Sequence, residues 1–102
     1  MTTESFTVLN LLDGEPVDMR RYLAGGWRSI QLRRLTAGRQ ERLAAEGVEH
    51  ALYVLRGQGS AQVGDRAIDL RPGVALTFPE GSATDVRAGT DELELFVVTL
   101  DA

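Results

Sequence analysis

Short runs rich in Val, Leu, Ile, Phe and Tyr recur about every ten residues along the chain, with Gly, Pro and Asp between them. That spacing predicts an all-β sandwich or barrel. About eight runs read as strands: Phe6 to Leu11, Trp27 to Leu35, His50 to Arg56, Ser60 to Val63, Arg66 to Leu70, Val74 to Phe78, Ser82 to Arg87 and Glu92 to Leu100. Gly64-Asp65 suits a two-residue hairpin turn, because glycine accepts the positive φ such a turn demands. Pro72-Gly73 and Pro79-Glu80-Gly81 mark further turns, proline fixing φ early and glycine taking the position other residues avoid. Two segments break the pattern. Glu15 to Leu23 is open to a short helix, and Gly38 to Glu46 has better helix than strand propensity.

Composition narrows the function classes. At 102 residues with 43% apolar content, the chain is expected to form one domain. Fifteen acids stand against 11 bases, and the bases are scattered singles and pairs, so nucleic acid is not an expected partner. Every base is arginine, which removes Schiff-base chemistry and the phosphate-loop lysine. The lack of cysteine removes disulfides, thiol nucleophiles and thiolate metal sites. No window approaches the ~18 apolar residues of a membrane helix. Neither does the start of the chain have the basic flank and apolar stretch of a leader, so no membrane role and a cytoplasmic location are expected.

From Gly38 onward the chain resembles the cupin superfamily. The first cupin motif is a glycine, five residues, His-x-His, three or four residues, Glu, six residues and glycine; here its frame reads Gly38, Ala44-Ala45-Glu46, His50 and Gly57, with HALYVLRGQG following. In the second motif, Gly73, Pro79 and Gly81 fall at the required spacings. The ligand positions differ. Ala44 and Glu46 replace the two histidines, His50 replaces the glutamate, Thr84 the third histidine and Ala88 the asparagine. The resemblance, covering roughly residues 27 to 100, implies a double-stranded β-helix or jelly-roll barrel with degenerate metal motifs. It also makes Gly38 to Glu46 extended or loop-like. The expected organisation is one cupin-like domain over residues 1–102, with an N-terminal strand and connecting segment over 1–26 and the barrel core over 27–100.

If His50 points into the barrel, strand alternation sends Leu52 and Val54 inward and Ala51, Tyr53 and Leu55 outward. Both faces are apolar. Leu93, Leu95, Val97 and Thr99 likewise alternate with Phe96, Val98 and Leu100, so the outer face needs a cover from the N-terminal segment or a second subunit; a homodimer is expected. The family frame turns Ser29, Gln31, Arg33 and Leu35 inward, whereas the ordinary alternation of a half-exposed strand turns Ile30 and Leu32 inward instead. An inward Arg33 requires an anionic partner, either Glu46 or the carboxylate of a bound ligand.

These positions define the candidate site. His50, the chain's one histidine, is read as a general acid/base with Glu46 as its companion, or as a hydrogen-bonded structural histidine. Glu46 has its own alternative, a solvated loop carboxylate. Gln31, Arg33, Leu52, Thr84, Leu95 and Val97 are the expected substrate-lining residues. Only Glu46 and His50 remain at metal-ligand positions, short of the roughly three protein ligands of a catalytic site. No cofactor is therefore expected, the alternative being a weakly bound divalent metal on that pair. Three functions follow: a metal-independent isomerase, cyclase or dehydratase; a non-catalytic small-molecule-binding or sensing module; and a metal-dependent oxygenase or isomerase with an atypical ligand set.

Overall fold

The computed structural model describes residues 7–102. In chain order the elements are β1 (Val17–Asp18), a 3-10 turn (Met19–Arg21), β2 (Trp27–Leu35), β3 (Gln40–Ala44), β4 (Val48–Arg56), β5 (Gly59–Val63), β6 (Arg66–Leu70), β7 (Ala75–Phe78), β8 (Ala83–Ala88) and β9 (Leu93–Asp101). They form two antiparallel sheets, ordered β1-β2-β9-β4-β7 and β3-β8-β5-β6. The sheets face each other as a jelly-roll barrel, all-β as the sequence pattern predicts. No helix among the described residues is long and apolar enough to cross a membrane.

Register decides what fills the barrel. In the five-stranded sheet, cross-strand partners share a face, giving the rows Arg33–Leu95–Val54, Gln31–Val97–Leu52–Leu76 and Ser29–Thr99–His50–Phe78. Leu52, Val54, Leu76, Phe78, Leu95 and Val97 belong to or pack on the hydrophobic core, so these rows point inward. The family frame therefore prevails over ordinary alternation in β2. Opposite them, Glu41 and Leu43 of β3 and Ala45 just after it turn inward, beside Thr84 and Val86 of β8.

The glycine-rich corner after β4 has a steric origin. A Cβ at Gly57, where φ is +85°, would lie 2.1 Å from the Glu92 carbonyl oxygen, and one at Gly59 would lie 2.2 Å from that of Arg87. Only hydrogen fits, which lets the chain turn from one sheet into the other. In the β5–β6 hairpin, Gly64 takes φ +62° at the first central position, beside Asp65.

Two local expectations change, and the extended reading of residues 38–46 holds. Of the run Phe6 to Leu11, Phe6 lies outside the described residues and the rest forms no strand; the N-terminal strand is Val17–Asp18. The carbonyls of Leu12 and Gly14 accept instead from the side chains of Arg34 and Gln31, so the segment is tethered to β2 without a ladder. Helix in Glu15 to Leu23 shrinks to one 3-10 turn, capped by the Asp18 carboxylate accepting from the Arg20 amide. Gln40–Ala44 is a strand despite its helix propensity, because pairing with β8 sets Leu43 and Ala45 against the core.

The outer face of the five-stranded sheet is covered in part. The 3-10 turn packs on β2, where Met19 and Leu32 are both buried. Over β4, Tyr53 keeps 44% of its surface exposed.

Candidate functional site

His50 enters the barrel end from β4, and both of its ring nitrogens are occupied. Nε2 lies 3.0 Å from the carbonyl oxygen of Ala44, and Nδ1 lies 3.0 Å from Thr99 Oγ1. A carbonyl only accepts, so Nε2 carries a hydrogen and donates it. In the neutral ring Nδ1 then accepts from the Thr99 hydroxyl. The Phe78 ring packs against the imidazole with centroids 5.2 Å apart. His50 thus clamps the tight β3–β4 connection and ties it to β9.

Glu46 does not join it. Leu43 and Ala45 take the inward phase of the segment, and Ala44 and Glu46 are exposed with the alternate phase. The cause is burial: this phase puts an apolar leucine and alanine against the core and leaves the Glu46 carboxylate its water. Glu46 makes neither a hydrogen bond with His50 nor a salt bridge with Arg33 among the described residues.

Arg33 does point inward and finds its partner elsewhere. Its guanidinium pairs with Glu41 of β3, across the seam between the sheets, with 29% and 26% of the two side chains exposed. Partial burial lowers the Arg33 pKa by desolvation. Glu41 is the residue that sequence reasoning misses. A signal for it exists, because Glu41 shares the i, i+2, i+4 phase of Leu43 and Ala45.

The remaining candidates split between structure and lining. Gln31 is inward, and its amide donates to the Gly14 carbonyl at 2.8 Å. Leu52, Leu95 and Val97 are 1%, 0% and 5% exposed and pack in the core, so the space expected between them is filled by their own side chains. Thr84 is 4% exposed and its hydroxyl donates to the Gln62 carbonyl at 2.7 Å. No buried side-chain nitrogen or oxygen among the described residues lacks a hydrogen-bond partner.

Thr84 nevertheless borders open space. A mostly apolar hollow of about 120 Å³ opens beside β7 and β8, lined by Val63, Leu76, Phe78, Pro79 and Thr84 among others. Its inward residues come from both sheets, Leu76 and Phe78 from one and Thr84 from the other, so it is a mouth of the barrel.

The donor set does not fit a metal ion. No group of three or more His, Asp or Glu side chains converges among the described residues. Of the two ligand positions that remain in the sequence, Glu46 is exposed on the outward phase and both His50 nitrogens have protein partners.

Comparison with known proteins agrees with the barrel. A family model described as the AraC-like ligand binding domain matches residues 50–102. Comparison with curated proteins returns no match. Among solved structures, the chain is similar to a cupin protein from Bacteroides fragilis, with TM-score 0.77, 15% identity, and coverage of 98% of this chain and 87% of that one. It is also similar to a predicted oxalate decarboxylase from Thermotoga maritima, with TM-score 0.75, 16% identity, and coverage of 94% and 100%. A protein from Thermus thermophilus superposes with TM-score 0.68 at 24% identity, covering 93% and 90%. These likenesses show a shared fold. Because the matched residues begin at His50 and run through β9, spanning more than half of the sequence, the chain belongs to the AraC-like ligand binding domain family, with a barrel of the cupin type.

Proposed function

We propose that this domain is a non-catalytic small-molecule-binding module that works without a resident metal. The observation that carries the reading is the double engagement of His50. A general base needs a nitrogen lone pair facing substrate, and a metal ligand needs one facing the ion. In His50 one nitrogen donates to Ala44 and the other meets Thr99. Acid/base catalysis would first have to break the clamp on the β3–β4 connection.

Recognition then falls to the mouth beside Phe78 and Thr84. Its lining is mostly apolar and its volume, about 120 Å³, is below that of drug-sized sites, which supports a compact apolar ligand no larger than a single ring, held by contact and shape. A carboxylate-bearing ligand at Arg33 is the narrower alternative. It is supported by the inward direction of that guanidinium, and it requires displacement of Glu41. The exposed Tyr53 and Leu55, on the outer face at the end of β4 away from Glu49, support assembly as a homodimer. Scattered arginines support a role without nucleic acid, and the lack of cysteine supports a cytoplasmic location.

Native mass spectrometry of gently purified protein, followed by incubation of any co-purified compound with wild type and with His50→Gln, tests the proposal. A metal-free dimer that binds the compound unchanged, and keeps binding it as His50→Gln, is the expected result. Conversion of the compound by wild type and not by His50→Gln would establish the enzyme reading instead.

A further inference from the structure

A second hollow lies at the end of the five-stranded sheet where β4, β7 and β9 meet, separated from the barrel mouth by Thr77, Phe78 and Pro79, which border both. It measures about 420 Å³ and is lined by Glu49, His50, Ala51, Thr77, Phe78, Pro79 and Leu100. Ala51, Thr77, Glu49 and Leu100 occupy the outward face, in the register pairs Ala51↔Thr77 and Glu49↔Leu100. The lining is predominantly hydrocarbon. The space is of the size that small-molecule sites occupy, roughly 300–1,000 Å³.

None of the side chains that line this hollow offers it a positive charge. Glu49 is exposed and makes no salt bridge among the described residues. Both His50 nitrogens are turned to Ala44 and Thr99, so the ring offers the hollow its carbon edge. In a chain with 11 arginines, none lines this space. The hollow therefore presents hydrocarbon walls, a hydroxyl and one unneutralised carboxylate. A carboxylate at the rim of apolar surface favours a cation that brings its own apolar body, and it disfavours an anion.

We infer that this outer hollow is a binding site for a small organic cation, a protonated amine carried on a hydrocarbon body, distinct from the mouth of the barrel. Glu49 holds the ammonium group, and Ala51, Pro79 and Leu100 take the hydrocarbon.

Cyclohexylamine, cyclohexanol and cyclohexanecarboxylate have one body and three head groups, and titrating each into the intact protein tests the site. Trp27 is the chain's one tryptophan and is the register partner of Leu100, so its fluorescence reports occupancy, while amide chemical shifts locate it. The amine is expected to bind about fivefold or more tighter than the alcohol, the carboxylate most weakly, with shifts at Glu49, Ala51 and Leu100. Glu49→Gln should reduce the amine to the alcohol's affinity, and Glu49→Arg should reverse the order of amine and carboxylate. Both changes are at an exposed position and spare the core. Equal affinity of amine and alcohol, indifference to Glu49→Gln, or shifts centred on Val63 and Thr84 would each overturn the inference.

Discussion

Arg33 and Glu41 stand on different sheets and neutralise each other across the seam between β2 and β3. Each is the cost-relieving partner of the other, because a half-buried guanidinium and a half-buried carboxylate are both unfavourable alone. Arg33→Gln and Glu41→Gln are expected to destabilise the fold by about 1–2 kcal/mol each. The double variant should lose less than their sum, with a coupling of about 1 kcal/mol in a double-mutant cycle by urea unfolding. Strict additivity would mean that the pair contributes nothing.

His50→Ala removes two hydrogen bonds and the contact with Phe78, so a loss of about 2 kcal/mol is expected. His50→Gln retains a donor for the Ala44 carbonyl and should lose less. Urea midpoints at constant slope read the difference; an Ala variant as stable as wild type would show that the clamp is idle.

The Asp18 carboxyl is held below the usual carboxylate range, first by its side-chain hydrogen bond with Arg20 and then by the Arg20 amide. A depressed folded pKa means that this contribution is present above the unfolded value and fades as pH falls through the folded one. The melting temperature of Asp18→Asn should therefore lie slightly below wild type at neutral pH, and the gap should close in acid. The pair is exposed, so the gap is small and shrinks with salt. A gap that widens in acid would refute the assignment.

Gly57 and Gly73 make a matched test of steric need. Both have positive φ, yet an added methyl meets the Glu92 carbonyl at Gly57 and open space at Gly73. Gly73→Ala is expected to cost about 1 kcal/mol from backbone strain. Gly57→Ala should cost at least about 3 kcal/mol, because the clash is with backbone that cannot move aside. Thermal unfolding of the two variants gives the comparison, and similar melting temperatures would contradict it.

The barrel strands are legible because alternation and turn residues agree: Trp27–Leu35 and Arg66–Leu70 carry the expected bounds. What misleads is phase. The spacing of Gly38, Ala44 and Glu46 follows a cupin frame, whereas the side-chain directions follow Leu43 and Ala45, and a one-residue offset sends a carboxylate from interior to water. His50 shows the complementary limit. Its inward direction follows from alternation with Leu52 and Val54, but the commitment of its nitrogens depends on a carbonyl and a hydroxyl brought together only by folding. Apolar residues expected to line a pocket are also the residues that fill one, and sequence does not distinguish the two at Leu52, Leu95 and Val97.

Strand length is distributed unevenly across the sheets. The three nine-residue strands, β2, β4 and β9, are flanked on both sides, while the four outermost strands, β1, β7, β3 and β6, have two, four, five and five residues. Short margins, two of them carrying Arg42 or Arg66, give a passing chain little template on which to add. Edge-to-edge growth of one molecule on the next is thereby disfavoured, since the three long ladders are closed off inside the sheet.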